Sequence, residues 1–181
     1  MRIISGTNKG KRIIAPKKLP VRPTTDMAKE GLFNILNNQY YISDLTILDL
    51  FSGTGNIAYE FSSRGVEKVT AVDGNFDCIK FIKKTASELN FPITAIKSDV
   101  YKYLERAPIT ADIIFADPPY GFSTEDFLKI ATLVFEKELL TENGTLIIEH
   151  GKHTDLSAHS NFVEKRNYGS SVFSFFAKEE V

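Results

Sequence analysis

TILDLFSGTGNIAYE, residues 46–60, is the stretch that decides the fold of this 181-residue chain. Residues 46–50 have the length and apolar composition of a buried strand, the segment with Gly53 and Gly55 predicts a tight turn, and residues 56–64 have a helical pattern. A strand that turns through glycines into a helix is the unit from which doubly wound α/β sheets are built. Such sheets bind ligands at the carboxyl ends of their strands, so we expect a ligand site at this turn.

The same alternation of strand and helix continues through the rest of the chain. Four more apolar runs predict strands at residues 68–72, 93–97, 111–116 and 145–149, and the helical patterns cover residues 56–64, 75–89, 99–106 and 124–138. This order is typical of a mostly parallel sheet with helices on both faces. The ending FVEKRNYGSSVFSFFAK predicts a hairpin, so the far edge of the sheet should be antiparallel. The predicted fold class is therefore α/β, Rossmann-like, with seven strands.

Before the sheet, the sequence predicts a hairpin, a connector and a helix. RIIS (2–5) and KRIIA (11–15) flank a glycine-rich turn, which is typical of a hairpin. The proline-rich run 16–23 should be extended, because each proline disfavours helix in the residue before it. A threonine or aspartate within residues 24–26 can then cap a helix with an apolar side.

The charges are distributed unevenly along the chain. The net charge is −1, yet residues 1–25 contain seven basic residues and no acidic one, so the remainder has a net charge of −8. We therefore divide the single expected domain, residues 1–181, into a basic N-terminal arm, residues 1–25, and a core, residues 26–181. The arm is either a patch that contacts phosphate groups or a solvated basic tail, and charge alone does not choose between them.

The composition is that of an ordinary globular protein, with 43% hydrophobic and 25% charged residues. No apolar run approaches the roughly 20 residues that span a bilayer, and the first residues lack the pattern of a secretory signal. The single cysteine, Cys78, cannot form an internal disulfide and suits a reducing compartment. We therefore expect a cytoplasmic protein with no membrane contact. We also expect no metal site, because His150 and His153 lack a third ligand nearby and are typical of a polar surface.

Two acidic residues follow the second and third predicted strands, at the edge of the sheet where Gly53 and Gly55 lie. Asp73 closes the second strand 20 residues after Gly53, a spacing at which a carboxylate can accept the hydroxyls of a ribose. Asp99 lies further along the same edge and could reach an adenine amino group. The glycines also fit a dinucleotide fingerprint, so this pattern alone leaves the cofactor ambiguous.

Asp49, at the end of the first strand, separates the candidate cofactors. Its carboxylate would repel the pyrophosphate of a nicotinamide cofactor and attract an ammonium or sulfonium group. S-adenosylmethionine carries both cations together with a ribose for Asp73. Asp49 therefore favours methyl transfer over an NAD-dependent oxidoreductase, for which no acid or base for hydride transfer is evident either.

ADIIFADPPYGF, residues 111–122, is a buried strand that ends in an acidic residue, two prolines and a tyrosine. The fourth strand should neighbour the first, so this loop should face the glycine turn. Asp117 and the Pro118 carbonyl can accept both hydrogens of a planar exocyclic amine, and Tyr120 can stack on the base that carries it. An ordinary Asx-Pro turn is the alternative for a bare DPP sequence. The preceding strand and the glycine turn favour the catalytic interpretation, in which the loop positions the amine.

DPPY together with DLFSGTG resembles the amino-methylating members of the class I S-adenosylmethionine-dependent methyltransferases. RIISGTNKGKRI, RPTTDMAKEGLFNIL and DLFSGTGNIAYEFSSRG resemble the RsmD-type 16S ribosomal RNA guanine-N2 methyltransferases, and the resemblance extends over essentially the whole chain to YGSSVFSFF. It implies that S-adenosylmethionine is the cofactor and that the exocyclic N2 amine of a guanine is methylated. The implied substrate is 16S ribosomal RNA, free or within an assembling small subunit, and we expect the enzyme to be a monomer.

The resemblance assigns roles to three groups of residues. The cofactor would be held by Asp49, Phe51, Gly53, Gly55, Asp73 and Asp99. The catalytic residues, which hold the target guanine, would be Asp117, Pro118 and Tyr120. The substrate RNA would be contacted by Lys9, Lys11, Arg12, Arg22, Thr24 and Thr25. Gly74 and Asn75 follow Asp73 where many relatives have a larger charged residue, so the ribose side should differ in detail.

Two other functions compete with this one. An N6-adenine methyltransferase also uses a DPPY-type loop, but 181 residues leave no room for a separate target-recognition domain. A methyltransferase-like RNA-binding module without activity would have no need of Asp117 and the glycine turn. We therefore expect an active RNA methyltransferase.

Overall fold

The computed structural model describes residues 1–180, which fold around one seven-stranded sheet. The strands are β1 (Thr46–Leu50), β2 (Lys68–Asp73), β3 (Ile93–Lys97), β4 (Ala111–Ala116), β5 (Leu140–Gly151), β6 (Phe162–Tyr168) and β7 (Ser171–Ala177). The helices are α1 (Asp26–Gln39), α2 (Asn56–Ser63), α3 (Phe76–Leu89), α4 (Val100–Arg106) and α5 (Thr124–Glu136), with a short 3-10 helix at Ile42–Asp44.

The strand order is β3-β2-β1-β4-β5-β7-β6. The neighbours among β1 to β5 pair in parallel, whereas β7 pairs antiparallel with both β5 and β6. The predicted fold class, a mostly parallel sheet with an antiparallel edge hairpin, is therefore confirmed. The order reverses between β1 and β4, because the chain runs outward from β1 to β3 and then crosses back. The carboxyl ends of β1 and β4 consequently border one crevice.

Alternate side chains of the central strands pack against helices on opposite faces of the sheet. Ile47, Ile113 and Ile147 lie in the apolar cluster that includes residues of α1, α2 and α3. Leu48 and Ile114 lie in the cluster with residues of α4 and α5. Successive residues of a strand point to opposite faces, so each strand is apolar on both sides and the sheet is covered by helices twice.

β5 differs most from the sequence prediction. The pattern predicts residues 145–149, and the strand runs over Leu140–Gly151. A register shift opposite β4 lets the polar residues 141–143 join the strand, and pairing with β7 extends it to Gly151, opposite Ser171. These extensions depend on partner strands and have no signal in the local hydrophobic pattern.

The N-terminal arm is docked on the end of α2. A single isolated bridge joins Arg2 and Arg12, so the predicted antiparallel pairing is present but the predicted strands are not. The N–H of Thr7 donates to the carbonyl of Ser63 at 2.7 Å. Gly6 has a φ of +87°, and a Cβ at this position would lie 1.8 Å from the Ser63 carbonyl oxygen. Glycine is therefore required where the arm approaches α2.

Within residues 1–180, no helix is both long and apolar enough to cross a membrane. The same residues contain no group of three His, Cys, Asp or Glu side chains arranged to hold a metal ion. The expected surface position of His150 is wrong, because β7 covers this part of β5. Its Nε2 lies 2.7 Å from Ser174 Oγ, its Nδ1 lies 2.8 Å from the Gly151 carbonyl oxygen, and burial lowers its pKa.

Candidate active site

A cavity of about 540 Å³ opens at the carboxyl ends of the central strands. Its walls come from the turn after β1, the end of β2, the start of α4, the loop after β4, and residues 20–25 before α1. This volume is typical of a small-molecule site. The cavity is lined by eight of the nine residues predicted to bind the cofactor or to act in catalysis: Asp49, Phe51, Gly53, Asp73, Asp99, Asp117, Pro118 and Tyr120.

The turn after β1 has three residues with positive φ: Phe51 at 53°, Gly53 at 54° and Gly55 at 89°. Phe51 is strained by this conformation, and its ring lies edge-on to that of Phe122 at 5.4 Å. Gly55 is the predicted cofactor residue that does not line the cavity. A Cβ there would lie 2.7 Å from the ring of Tyr59, so the structure gives Gly55 a role in the turn and in packing. A contact between Gly55 and a cofactor stays a prediction.

Asp73 is held in place by two backbone N–H groups. Its Oδ2 accepts from Gly53 at 2.9 Å, and its Oδ1 accepts from Asn75 at 2.8 Å. Each oxygen keeps a lone pair for a further donor, and the contact of Asp73 with the hydroxyls of a ribose stays a prediction. Asp99 caps α4, where its Oδ1 accepts from the Lys102 N–H at 3.0 Å, and it stays exposed on the rim of the cavity.

Asp49 lines the cavity as a buried acidic residue, with a relative exposure of 2%. Its Oδ2 has no hydrogen-bond partner among residues 1–180. Burial raises the pKa of Asp49 well above its ordinary value; a hydrogen bond from the Ala58 N–H opposes this shift, and the nearby charge of Asp73 adds to it. An ionised carboxylate is costly at such a place unless a cation or a donor pairs with it. The site therefore fits a cationic ligand, and S-adenosylmethionine, with its ammonium and sulfonium groups, meets this requirement.

The loop after β4 carries the DPPY sequence to the mouth of the cavity. The N–H of Asp117 donates to the Leu50 carbonyl at 3.3 Å, which joins the start of the loop to β1. Pro118 is buried, whereas Tyr120 is 80% exposed. An exposed aromatic ring beside a carboxylate is available to stack on a planar ligand. The predicted neighbourhood of this loop and the glycine turn is thus present.

Glu149 is a site residue that the sequence analysis missed. It is 7% exposed and lines the cavity beside Asp117. The Thr24 hydroxyl donates to its Oε2 at 2.5 Å. Burial raises the pKa of Glu149, and burial together with the charge of Glu149 raises the pKa of Asp117 well above its ordinary value. The sequence did contain a signal, because Glu149 is an acidic residue at the end of an apolar run. It was interpreted only as the last residue of the predicted strand 145–149.

The residues predicted to contact RNA fall into two places. Lys9, Lys11 and Arg12 are exposed on the arm and lie outside the cavity. Arg22, Thr24 and Thr25 line the cavity, where Arg22 is exposed. The two threonine hydroxyls have partners within the protein, because Thr24 bonds to Glu149 and Thr25 caps α1 by accepting from the Ala28 N–H at 3.2 Å. Their contact with RNA stays a prediction.

A buried charge cluster, also missed from the sequence, connects the arm to this cavity wall. Lys29 Nζ lies 2.5 Å from the Arg2 carbonyl, 2.8 Å from Asn56 Oδ1 and 3.5 Å from Glu60 Oε2. Burial lowers the pKa of Lys29, while the charge of Glu60 raises it. Glu60 also accepts from two N–H groups of the arm, and Asn56 donates to the Thr24 carbonyl at 2.9 Å. The cluster therefore fixes the arm and residues 20–25 to α1 and α2.

The doubly wound sheet, the acidic cavity and the DPPY loop define a class I methyltransferase. The chain belongs to the family described as Conserved hypothetical protein 95, whose model matches residues 1–177. This match, together with the similar proteins below, confirms the predicted RsmD-type family.

The similar proteins include both curated sequences and solved structures. The chain is 33% identical over 187 residues to "Putative rRNA methyltransferase YlbH" of Bacillus subtilis, covering 98% of this chain and 99% of the relative. It is 32% identical over 150 residues to "Ribosomal RNA small subunit methyltransferase D" of Buchnera aphidicola, covering 82% and 75%. The solved structure of yhhF from Escherichia coli has a TM-score of 0.83 at 23% identity, over 99% of this chain and 98% of that chain, and therefore shares the fold.

Proposed function

We propose that this protein transfers a methyl group from S-adenosylmethionine to the exocyclic N2 amine of a guanine in 16S ribosomal RNA. The observation that carries the proposal is the DPPY loop at the mouth of a cavity in which Asp49 Oδ2 lacks a partner. The names of the similar proteins support ribosomal RNA as the substrate. The resemblance of the stretches within residues 2–65 to the guanine-N2 enzymes supports the choice of base.

The residues of the cavity divide into a cofactor side and a substrate side. Bound S-adenosylmethionine supplies an electrophilic methyl group on a sulfonium. On the cofactor side, Asp49 pairs with the positive charge of the cofactor. Asp73 accepts hydrogen bonds from the ribose hydroxyls, and Asp99 accepts one from the adenine amine. On the substrate side, Asp117 and the Pro118 carbonyl accept the two hydrogens of the target amine and orient its nitrogen.

Tyr120 and the basic arm bring the RNA to this cavity. The exposed ring of Tyr120 stacks on the target base, which must leave its own stack to enter the site. Lys9, Lys11 and Arg12 contact phosphates, because residues 26–181, with a net charge of −8, repel the RNA backbone. Arg22 contacts the RNA at the mouth of the cavity. The enzyme works in this proposal as a cytoplasmic monomer, without metal or membrane, on free 16S RNA or on an assembling small subunit.

Mass spectrometry of ribosomal RNA nucleosides, from cells with and without the gene, tests the proposal. We expect loss of one N2-methylguanosine from 16S RNA in the absence of the gene, and its return with the wild-type gene. Asp117→Ala should fail to restore it while its melting temperature stays within a few degrees of wild type, because its carboxyl group accepts no hydrogen bond from residues 1–180. Asp44→Ala, a change at an exposed aspartate outside the cavity, is the matched control.

Each other result has a definite meaning. Loss of N6-methyladenosine in the absence of the gene would show that the target base is adenine and not guanine. If the nucleoside pattern is unchanged and the purified protein transfers no labelled methyl groups to ribosomal RNA, the proposed methyltransferase activity is contradicted. An Asp117→Ala variant that unfolds would mean that the loop has a structural role.

A further inference from the structure

Asp117 directly follows β4, and Glu149 lies on the neighbouring strand β5, two residues before its end. β4 and β5 pair with Ala116 opposite Ile148, so the next residues of the two strands are adjacent, at the usual interstrand spacing of about 4.8 Å. Alternation along the strands directs both side chains to the same face of the sheet. Both carboxyl groups line the cavity, and neither forms an ion pair with a Lys or Arg side chain among residues 1–180.

The hydrogen-bond donors around the pair are all on the side of Glu149. The Thr24 hydroxyl donates to Glu149 at 2.5 Å, and the Ser171 hydroxyl, from β7, lies near enough to oppose the rise in the pKa of Glu149. Among residues 1–180, none donates a hydrogen bond to the Asp117 carboxyl group. The other charged groups that line the same cavity are Arg22, Asp49, Asp73 and Asp99. Lys29 bonds to Asn56 and is not part of the cavity lining, and His150 points to the opposite face, toward Ser174.

We propose that Glu149 acts through Asp117: the two carboxyl groups share one proton, and the pair takes up the proton that the target amine loses on methylation. Two full negative charges on neighbouring side chains of one largely enclosed cavity repel each other, whereas one charge is tolerated. The hydrogen bond from the Thr24 hydroxyl, with the Ser171 hydroxyl nearby, holds that charge on Glu149 and leaves the shared proton on Asp117. The choice of the target amine rests on the proposed function, whereas the shared proton belongs to the free protein.

The proton balance of the reaction requires an acceptor at this place. The nitrogen lone pair forms the new N–C bond, the electron pair of the broken S–C bond stays on sulfur, and the nitrogen becomes positively charged. Loss of one N–H proton then restores a neutral amine. That proton passes to Asp117 as the proton already on Asp117 passes to Glu149, so the pair changes from one negative charge to none. The pair returns one proton to water after the product leaves.

Carbon-13 NMR of the side-chain carboxyl groups in the free protein tests the shared proton without RNA or cofactor. We expect the Asp117 and Glu149 carboxyl groups to titrate together in two steps, with the upper step above the ordinary range for carboxyl groups. Glu149→Gln keeps the size of the side chain and an acceptor for Thr24 but removes the charge. In this variant Asp117 should titrate in one step at lower pH. Independent titration of the two groups, or an unmoved Asp117 in the variant, overturns the proposal.

The rate of methyl transfer across pH tests the role of the pair in the reaction. We expect Glu149→Gln to lower the maximal rate by about 100-fold, with S-adenosylmethionine affinity unchanged within about twofold. The fall in rate at low pH should move to lower pH, because Asp117 loses its charged neighbour. Glu142→Gln, at an exposed position of the same strand, should match wild type in both experiments.

The two experiments separate failure of this inference from failure of the proposed function. A Glu149→Gln variant with the wild-type rate at every pH overturns the role of Glu149 and leaves methyl transfer standing. A wild-type protein that methylates no RNA but shows the coupled titration overturns the proposed function and supports the shared proton.

Discussion

At the scale of single residues, the Asp49 carboxylate favours the binding of a cationic ligand but lowers the stability of the ligand-free protein. Its buried carboxyl group has an oxygen without a partner, and its pKa is higher in the folded chain than in the unfolded one. The folded state therefore binds more protons over the window between the two pKa values, and stability must fall as pH rises through that window. Asp117 and Glu149, whose pKa values are also raised, contribute with the same sign.

Asp49→Asn should separate these two effects. We expect the ligand-free variant to be more stable than wild type at neutral pH, by on the order of 1 kcal/mol, and to lose less stability as pH rises from about 4. Its affinity for S-adenosylmethionine should fall about 10- to 100-fold, because a charge-assisted interaction is lost. Urea unfolding at a series of pH values and calorimetry measure the two quantities. Asp44→Asn is the exposed control, and an Asp49→Asn variant that binds the cofactor as wild type does would contradict the assignment of Asp49.

At the scale of elements, the arm, α1 and α2 act as one unit because Lys29 joins them. Lys29→Met keeps most of the side-chain length but leaves the Arg2 carbonyl and Asn56 Oδ1 without their donor. We expect a loss of about 3 kcal/mol in the free energy of unfolding and faster tryptic cleavage within residues 1–22. Urea unfolding and timed proteolysis check this.

Lys80→Met, at an exposed position of α3, provides the control for Lys29→Met and should change neither quantity. Equal unfolding midpoints for wild type and Lys29→Met would show that the arm is held without Lys29, by the apolar contacts of Ile3 and Ile13 and by its backbone hydrogen bonds to α2.

The parts of the structure that could be predicted from the sequence are those with a local signal. The strands, the turn with positive φ and the DPPY loop have local signals, since alternation, glycine and proline each restrict the backbone within a few residues. The burial of Lys29 has no such signal, because its partner Glu60 lies on another helix. Glu149 has a local signal, an acidic residue at the end of an apolar run, but its place in the cavity depends on the register between β4 and β5. Long-range pairing decides these positions.

At the scale of the whole molecule, the charge distribution determines how RNA can approach. Neutralising Lys9, Lys11 and Arg12 together should lower the slope of log affinity against log salt by about two to three units, if each contacts one phosphate. The affinity for S-adenosylmethionine should stay the same, because these residues lie outside the cavity. Binding to a 16S RNA fragment at several salt concentrations measures the slope.

The triple neutralisation of Lys80, Lys83 and Lys84 removes the same charge from an exposed face of α3 and provides the control. A slope that changes equally in both triple variants would assign RNA binding to the net charge alone, and an unchanged slope in both would place the RNA contacts elsewhere.

The contact of Gly6 with α2 has a consequence for genetic screens. A selection that scores growth or ribosomal RNA modification would recover Gly6→Ala alongside losses of charge in the arm, and the natural inference would be that residue 6 contacts RNA. The cause of the Gly6→Ala phenotype would be steric, since the added methyl group has no room beside the Ser63 carbonyl. The variants recovered in the arm therefore belong to two classes: those that displace the arm from α2 and those that weaken its contacts with RNA. Only a melting curve of each purified variant distinguishes the two classes.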